Sequence, residues 1–81
     1  MIDRAEQMLL DKGFRQLRVR IHGTVARIEL LPQDMPVLMQ DNIRTEVYEK
    51  LRSWGFSYVT LDLLGYRTGS MNETLTSDEK T

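Results

Sequence analysis

Four basic side chains crowd into one short stretch of this chain. In QLRVRIHGTVARIELL, from Gln16 to Leu31, Arg18, Arg20 and His22 alternate with Leu17, Val19 and Ile21, and Arg27 follows a Gly23-Thr24 step. A guanidinium is a planar fork that binds two oxygens at once, so arginines gathered at this spacing point to an oxyanion such as phosphate. The plainer alternative is a solvated face with the arginines splayed apart, and spacing alone leaves both readings open.

The backbone that holds these residues is legible from the same stretch. Strict alternation of apolar and polar residues from Leu17 to His22 predicts a half-buried strand. Gly23-Thr24 suits a two-residue turn, and Val25 to Leu31 continues as a second strand with Ala26, Ile28 and Leu30 facing one way. Counting outward from the turn sets Ile21 against Ala26, Val19 against Ile28 and Leu17 against Leu30, an apolar face. On the other face Arg18 meets Glu29, which is favourable, and Arg20 meets Arg27, which is not, because like charges directly across a pair destabilise it. An anion, or carboxylates arriving from elsewhere, would ease that cluster.

The remaining elements must cover the apolar face. Residues 3 to 12 read as a helix, with Asp3 as N-cap, Glu6 at capping-box spacing, Gly13 as the stop and Phe14 entering the core. After the turn-rich Pro32-Gln33-Asp34-Met35-Pro36, Asp34 caps a single helical turn. Asp41 then caps a longer helix through Trp54, with an apolar stripe of Ile43, Val47, Leu51 and Trp54, ended by Gly55. The third strand is expected over Phe56 to Leu64; with apolar residues on both faces it suits the middle or a protected side of a sheet. The order helix, strand, strand, helix, strand predicts an α+β fold resembling a ferredoxin-like half. Its three-stranded, mostly antiparallel sheet would run in the order 2-1-3, with helices on one face. The other face would be left uncovered, displaying Arg18, Arg20, Arg27, Glu29 and Asp62. Residues 1 to 75 form the domain, and the small and charged residues 76 to 81 are expected to be a disordered tail.

Composition narrows the classes further. The sequence has 81 residues, one domain's worth, and a net charge of −1, without the basic excess of a general nucleic-acid binder. It has no cysteine, which excludes disulfides, thiolate metal sites and a cysteine nucleophile. No apolar run approaches the ~20 residues that span a membrane. The opening MIDRAEQML lacks a basic region followed by an apolar stretch, so a cytoplasmic location is the default, and the Asn72-Glu73-Thr74 sequon is taken as chance.

Two phrases carry a resemblance. LRVRIHGTVARIEL and YVTLDLLGYRTGSMNE, within a span from Ala5 to Leu75, resemble the C-terminal segment of a PP-loop ATP pyrophosphatase family. These are the ATP-dependent sacrificial sulfur transferases that build the nickel-pincer cofactor of lactate racemase. The resemblance implies a longer enzyme, in which an N-terminal domain with an SGGxDS loop binds ATP and magnesium. That enzyme adenylates a carboxylate of pyridinium biscarboxylic acid mononucleotide, and one of its cysteines gives up its sulfur. Neither the loop nor any cysteine is present here. The chain would then be a C-terminal portion, inactive alone, whose partners are the N-terminal ATP-binding domain, the mononucleotide and, in the full-length protein, further copies of itself.

By the same resemblance Arg18, Arg20 and Arg67 would hold the substrate phosphate or the adenylating ATP. Gly65, Gly69 and Ser70 would let backbone amides of the GYRTGS loop approach the anion, as concave backbone nests do. Glu6 and Glu29 match acidic positions able to bind a metal ion through oxygen or to orient the arginines. Each has a plainer reading: Glu6 as a helix cap, Glu29 as the partner of Arg18, Asp62 as an ion-pair partner of Arg18 or Arg20, and His22 as a surface residue at a hairpin tip. The competing functions are a small stand-alone nucleotide- or RNA-binding module, for which Tyr58 is the one candidate stacking residue on the strands, and a self-association module.

Overall fold

Two helices of this protein end in the same way, and each ending delivers an aromatic residue to the core just ahead of a strand. In the computed structural model, which describes residues 2–67, α1 spans Ile2–Asp11. At its end the Gly13 N–H donates to the Leu10 carbonyl (2.9 Å) and the Phe14 N–H to the Leu9 carbonyl (3.2 Å). A short turn at Pro32–Asp34 leads to α2, Met35–Leu38, and then α3, Asp41–Ser53. The end of α3 repeats the pattern: Gly55 N–H to the Arg52 carbonyl (3.0 Å) and Phe56 N–H to the Leu51 carbonyl (3.3 Å). Paired bonds of this form, closed by a glycine at positive φ, are a Schellman stop, and its usual apolar contact is between the first residue past the glycine and the last turn. Here those pairs are Phe14 with Leu9 and Phe56 with Leu51, all four buried in one core.

The helix starts differ in detail from the sequence reading. α1 already begins at Ile2, placing Asp3 inside its first turn. Gln40, not Asp41, is the N-cap of α3, and Asp41 instead pairs with Arg44 across one exposed turn (3.1 Å). Asp34 does stand at the N-cap of α2, without a side-chain capping bond.

The hairpin forms in the expected register. β1, Leu17–His22, and β2, Val25–Leu30, pair antiparallel with Leu17 opposite Leu30, Arg18 opposite Glu29, Val19 opposite Ile28, Arg20 opposite Arg27 and Ile21 opposite Ala26. The third strand departs from expectation. β3 is only Tyr58–Leu61, and it pairs parallel to β2, with Val25 level with Tyr58 and Ile28 with Leu61. The sheet order is therefore β1-β2-β3, not 2-1-3, and one of its two pairings is parallel. The reason lies in the side chains. Within Tyr58–Leu61, Tyr58 and Thr60 face out while Val59 and Leu61 pack on the core, the pattern of an edge strand. The expected apolar residue at the far end of the second face, Leu64, lies beyond the strand and is exposed, as is Leu63, which had lengthened the first face. β2 is the strand covered on both sides, since even Glu29 on its outer face is buried.

One side of the sheet makes the core. Val19, Ala26, Ile28 and Leu30 pack there with Ala5 and Leu9 of α1 and Val47 and Leu51 of α3. α1 also guards the outer edge of β1, where the Val19 N–H donates to Glu6 Oε2 at 2.9 Å. Two side-chain contacts link α1 to the α3 region: Lys12 Nζ to Glu46 Oε1 at 2.8 Å, and Arg4 stacked over the Trp54 ring at 5.0 Å. Among the described residues no helix is long and apolar enough to cross a membrane. The expected tail at 76–81 lies outside the described residues.

The hydrogen bond and charge of Lys12 hold the Glu46 carboxyl below its ordinary value. A carboxylate shifted down in the folded state adds stability above its unfolded pKa and loses it as pH falls through the folded one. Glu46→Gln is therefore expected to lower the thermal midpoint slightly at neutral pH and low salt. Scans repeated through the acid side of the carboxylate range should show the two proteins converging, and a gap that persists there would refute the Lys12–Glu46 link.

Candidate functional site

The side of the sheet turned away from the helices carries the charges. Across its strands the register sets Arg18 beside Glu29, and Arg20 beside Arg27 and Thr60. Asp62, one step past the last registered pair, falls level with Glu29, and its N–H donates to the Ile28 carbonyl at 2.9 Å. The pattern is two rows, one mixed in charge and one led by two arginines.

Glu29 resolves the like-charge clash. Its Oε2 lies 3.4 Å from Arg20 Nε and 3.3 Å from Arg27 Nη2, so one carboxylate oxygen serves both guanidinium groups. Glu29 is 8% exposed and is the one charged residue buried among the described residues. Buried charge is costly unless paired and hydrogen-bonded, which these two arginines provide. This corrects the simpler pairing of Glu29 with Arg18: the opposite neighbour is passed over for two arginines one step away. Asp62 likewise meets Arg27, with Oδ2 3.6 Å from Nε, rather than Arg18 or Arg20. Arg18 makes no ion pair among the described residues; it is exposed and available to an outside anion. His22 is exposed at the end of β1, beside the turn.

Past β3 the chain turns sharply and returns to the end of β2. Asp62 Oδ1 accepts the Leu64 N–H at 2.9 Å, a side-chain mimic of a backbone turn. Gly65 then passes so close to β2 that a Cβ on it would lie 2.7 Å from the Leu30 carbonyl oxygen, and its φ is +96°. Tyr66 N–H donates to that same Leu30 carbonyl at 2.7 Å. Arg67, half-buried and engaged, is thereby delivered beside the C-terminal end of β2, the end that carries Glu29. Gly69 and Ser70 lie outside the described residues.

The two acidic candidates are separated in role. Glu6 is occupied at the β1 edge, and Glu29 sits between two guanidinium groups that already share its Oε2. Among the described residues no group of three His, Asp or Glu side chains is placed to hold a metal ion, so the donor set present does not fit a metal site by itself. The sequence signal that was missed is local: Asp62 two residues before Leu64, an Asx-turn spacing.

No protein-family profile matches the chain. Over 72 residues, 89% of its length, it is 49% identical to the pyridinium-3,5-bisthiocarboxylic acid mononucleotide synthase of Lactiplantibacillus plantarum, of which it covers 25%. Over 75 residues, 93% of its length, it is 43% identical to an uncharacterized protein of Synechocystis sp., of which it covers 28%. The chain thus spans about a quarter of the length of the curated relatives it matches.

Two substitutions test this geometry by urea unfolding. Glu29→Ala leaves Arg20 and Arg27 facing each other without their shared acceptor and should cost about 1–3 kcal/mol; a neutral result would mean the carboxylate is not their partner. Gly65→Ala should cost more than Gly55→Ala. Both glycines have positive φ, but only Gly65 has backbone within reach of a new methyl group. Equal losses would remove the close passage at Leu30.

Proposed function

We propose that this chain is the substrate-phosphate-binding and assembly domain of an ATP-dependent sulfur transferase acting on a pyridinium biscarboxylic acid mononucleotide. The observation that carries the reading is the outer sheet face. Arg18 stands unengaged there, Arg20 and Arg27 are oriented by a buried carboxylate, and a loop places Arg67 at the same end. Such a face offers bidentate donors to a phosphate. The 49% identity to a mononucleotide synthase supports the substrate class.

In this reading Arg18, Arg20 and Arg67 bind the phosphate and Glu29 fixes the direction of the Arg20 fork. Amides near Gly69 and Ser70 add donors. ATP and magnesium belong to an ATP-binding domain of the same polypeptide, which meets the sheet face and closes the site over the mononucleotide. A stand-alone RNA module is less well served, because Tyr58 is the one aromatic on the outer face of the described strands and sequence-tolerant RNA binding relies on stacking platforms.

Inorganic phosphate and a pyridinium mononucleotide, titrated into the chain and followed by chemical shifts, test this. The expected perturbations fall on Arg18, Arg20 and Arg67, and Arg18→Ala should weaken binding roughly tenfold, the loss of about one charge-assisted bond. Perturbations elsewhere, or none at millimolar ligand, would refute the site. With no cysteine to surrender sulfur, the 81 residues alone should transfer none, and any turnover by them would overturn the assignment.

A further inference from the structure

Asp62 divides its carboxylate between two structures that the phosphate reading needs at once. Its Oδ1 accepts the Leu64 N–H and starts the turn. That turn is what seats Gly65 against β2 and puts Tyr66 N–H on the Leu30 carbonyl, one residue ahead of Arg67. Its Oδ2 faces Arg27 Nε, a buried donor with no hydrogen-bond partner within reach. At 3.6 Å the pair attracts without closing a hydrogen bond, so Arg27 is held but not saturated. A single side chain therefore touches both the arginine row of the sheet and the loop that carries the last arginine.

We propose that Asp62 is a positioning residue that joins the loop bearing Arg67 to the arginine row and sets how strongly that row takes an anion. This rests on the phosphate reading for its functional consequence, though not for its geometry. Oδ1 acts by shape, since any acceptor at that point closes the turn. Oδ2 acts by charge: it offsets part of the positive potential of Arg27 and so lowers the attraction felt by a phosphate arriving at Arg18 and Arg20. The other charged groups on this face are Arg18, opposite Glu29 in the row of Asp62, and Glu29 itself, already paired with Arg20 and Arg27.

Two variants separate shape from charge. Asp62→Asn keeps an oxygen acceptor for the Leu64 N–H and removes the charge, whereas Asp62→Ala removes both. Amide hydrogen exchange without phosphate is expected to leave the Tyr66 amide protected in Asp62→Asn. In Asp62→Ala that amide should be exposed while the β1–β2 amides keep their protection. Inorganic phosphate should bind Asp62→Asn roughly fivefold more tightly than the unsubstituted chain, the scale of one partly solvated charge interaction. In Asp62→Ala the response at Arg67 should vanish while those at Arg18 and Arg20 remain. Equal Tyr66 protection in the two variants would overturn the positioning role, and unchanged phosphate affinity in Asp62→Asn would overturn the charge role. Failure of the phosphate site itself would look different: the unsubstituted chain would not respond to phosphate at all.

Discussion

A buried carboxylate governs the outer face of this small sheet. Glu29 sits on the central strand, nearly sealed from water, and its cost is met by two guanidinium groups that would otherwise oppose each other across β1 and β2. The arrangement binds both ways. Without the arginines the carboxylate would be an uncompensated buried charge, and without the carboxylate the arginines would repel. Mutual dependence of this kind fixes side-chain direction better than either pair alone. It leaves Arg18, the residue directly across from Glu29, unclaimed.

The hairpin was readable because its signals agree. Alternation, a glycine turn and apolar matches at every second position all give one register, and a one-residue slip would have turned Leu17, Val19 and Ile21 to water. The helix stops at Gly13 and Gly55 were legible for a similar reason, since glycine followed by phenylalanine is both a backbone signal and a core anchor. The placement of β3 was not legible. Leu63 and Leu64 made a short amphipathic strand look longer and two-sided, and a chain with few strands offers no other pattern to arbitrate between adding at β1 and adding at β2. The pairing of β3 is decided by long-range contacts, Val59 and Leu61 closing the core beside α3, which no local window contains.

The candidate site was legible in part for the same reason. Residue types and faces followed from the strand period, so Arg18, Arg20, Arg27, Glu29 and Asp62 were expected together and are found together on the outer face. Which acid serves which base depended on side-chain reach across three strands. Spacing set Glu29 against Arg18, whereas the diagonal reach of Arg20 from β1 and of Arg27 along β2 decided the pairing. Glu6 shows the other limit. Its spacing from Asp3 suggested a helix cap, yet its partner is a strand amide far along the chain, a contact made possible only by the packing of α1 on β1.

That contact gives the sheet a direction. On the β1 side the Glu6 carboxylate already occupies an amide that an incoming strand would need, and its charge repels an approaching carbonyl. On the β3 side the strand is only four residues long and no further strand lies beyond it among the described residues. Extension of this sheet at the β1 margin, whether by a neighbouring domain or by another molecule, is thus opposed by a contact that has no counterpart at β3 among the described residues. The fold carries a handed boundary condition for any larger architecture built on it.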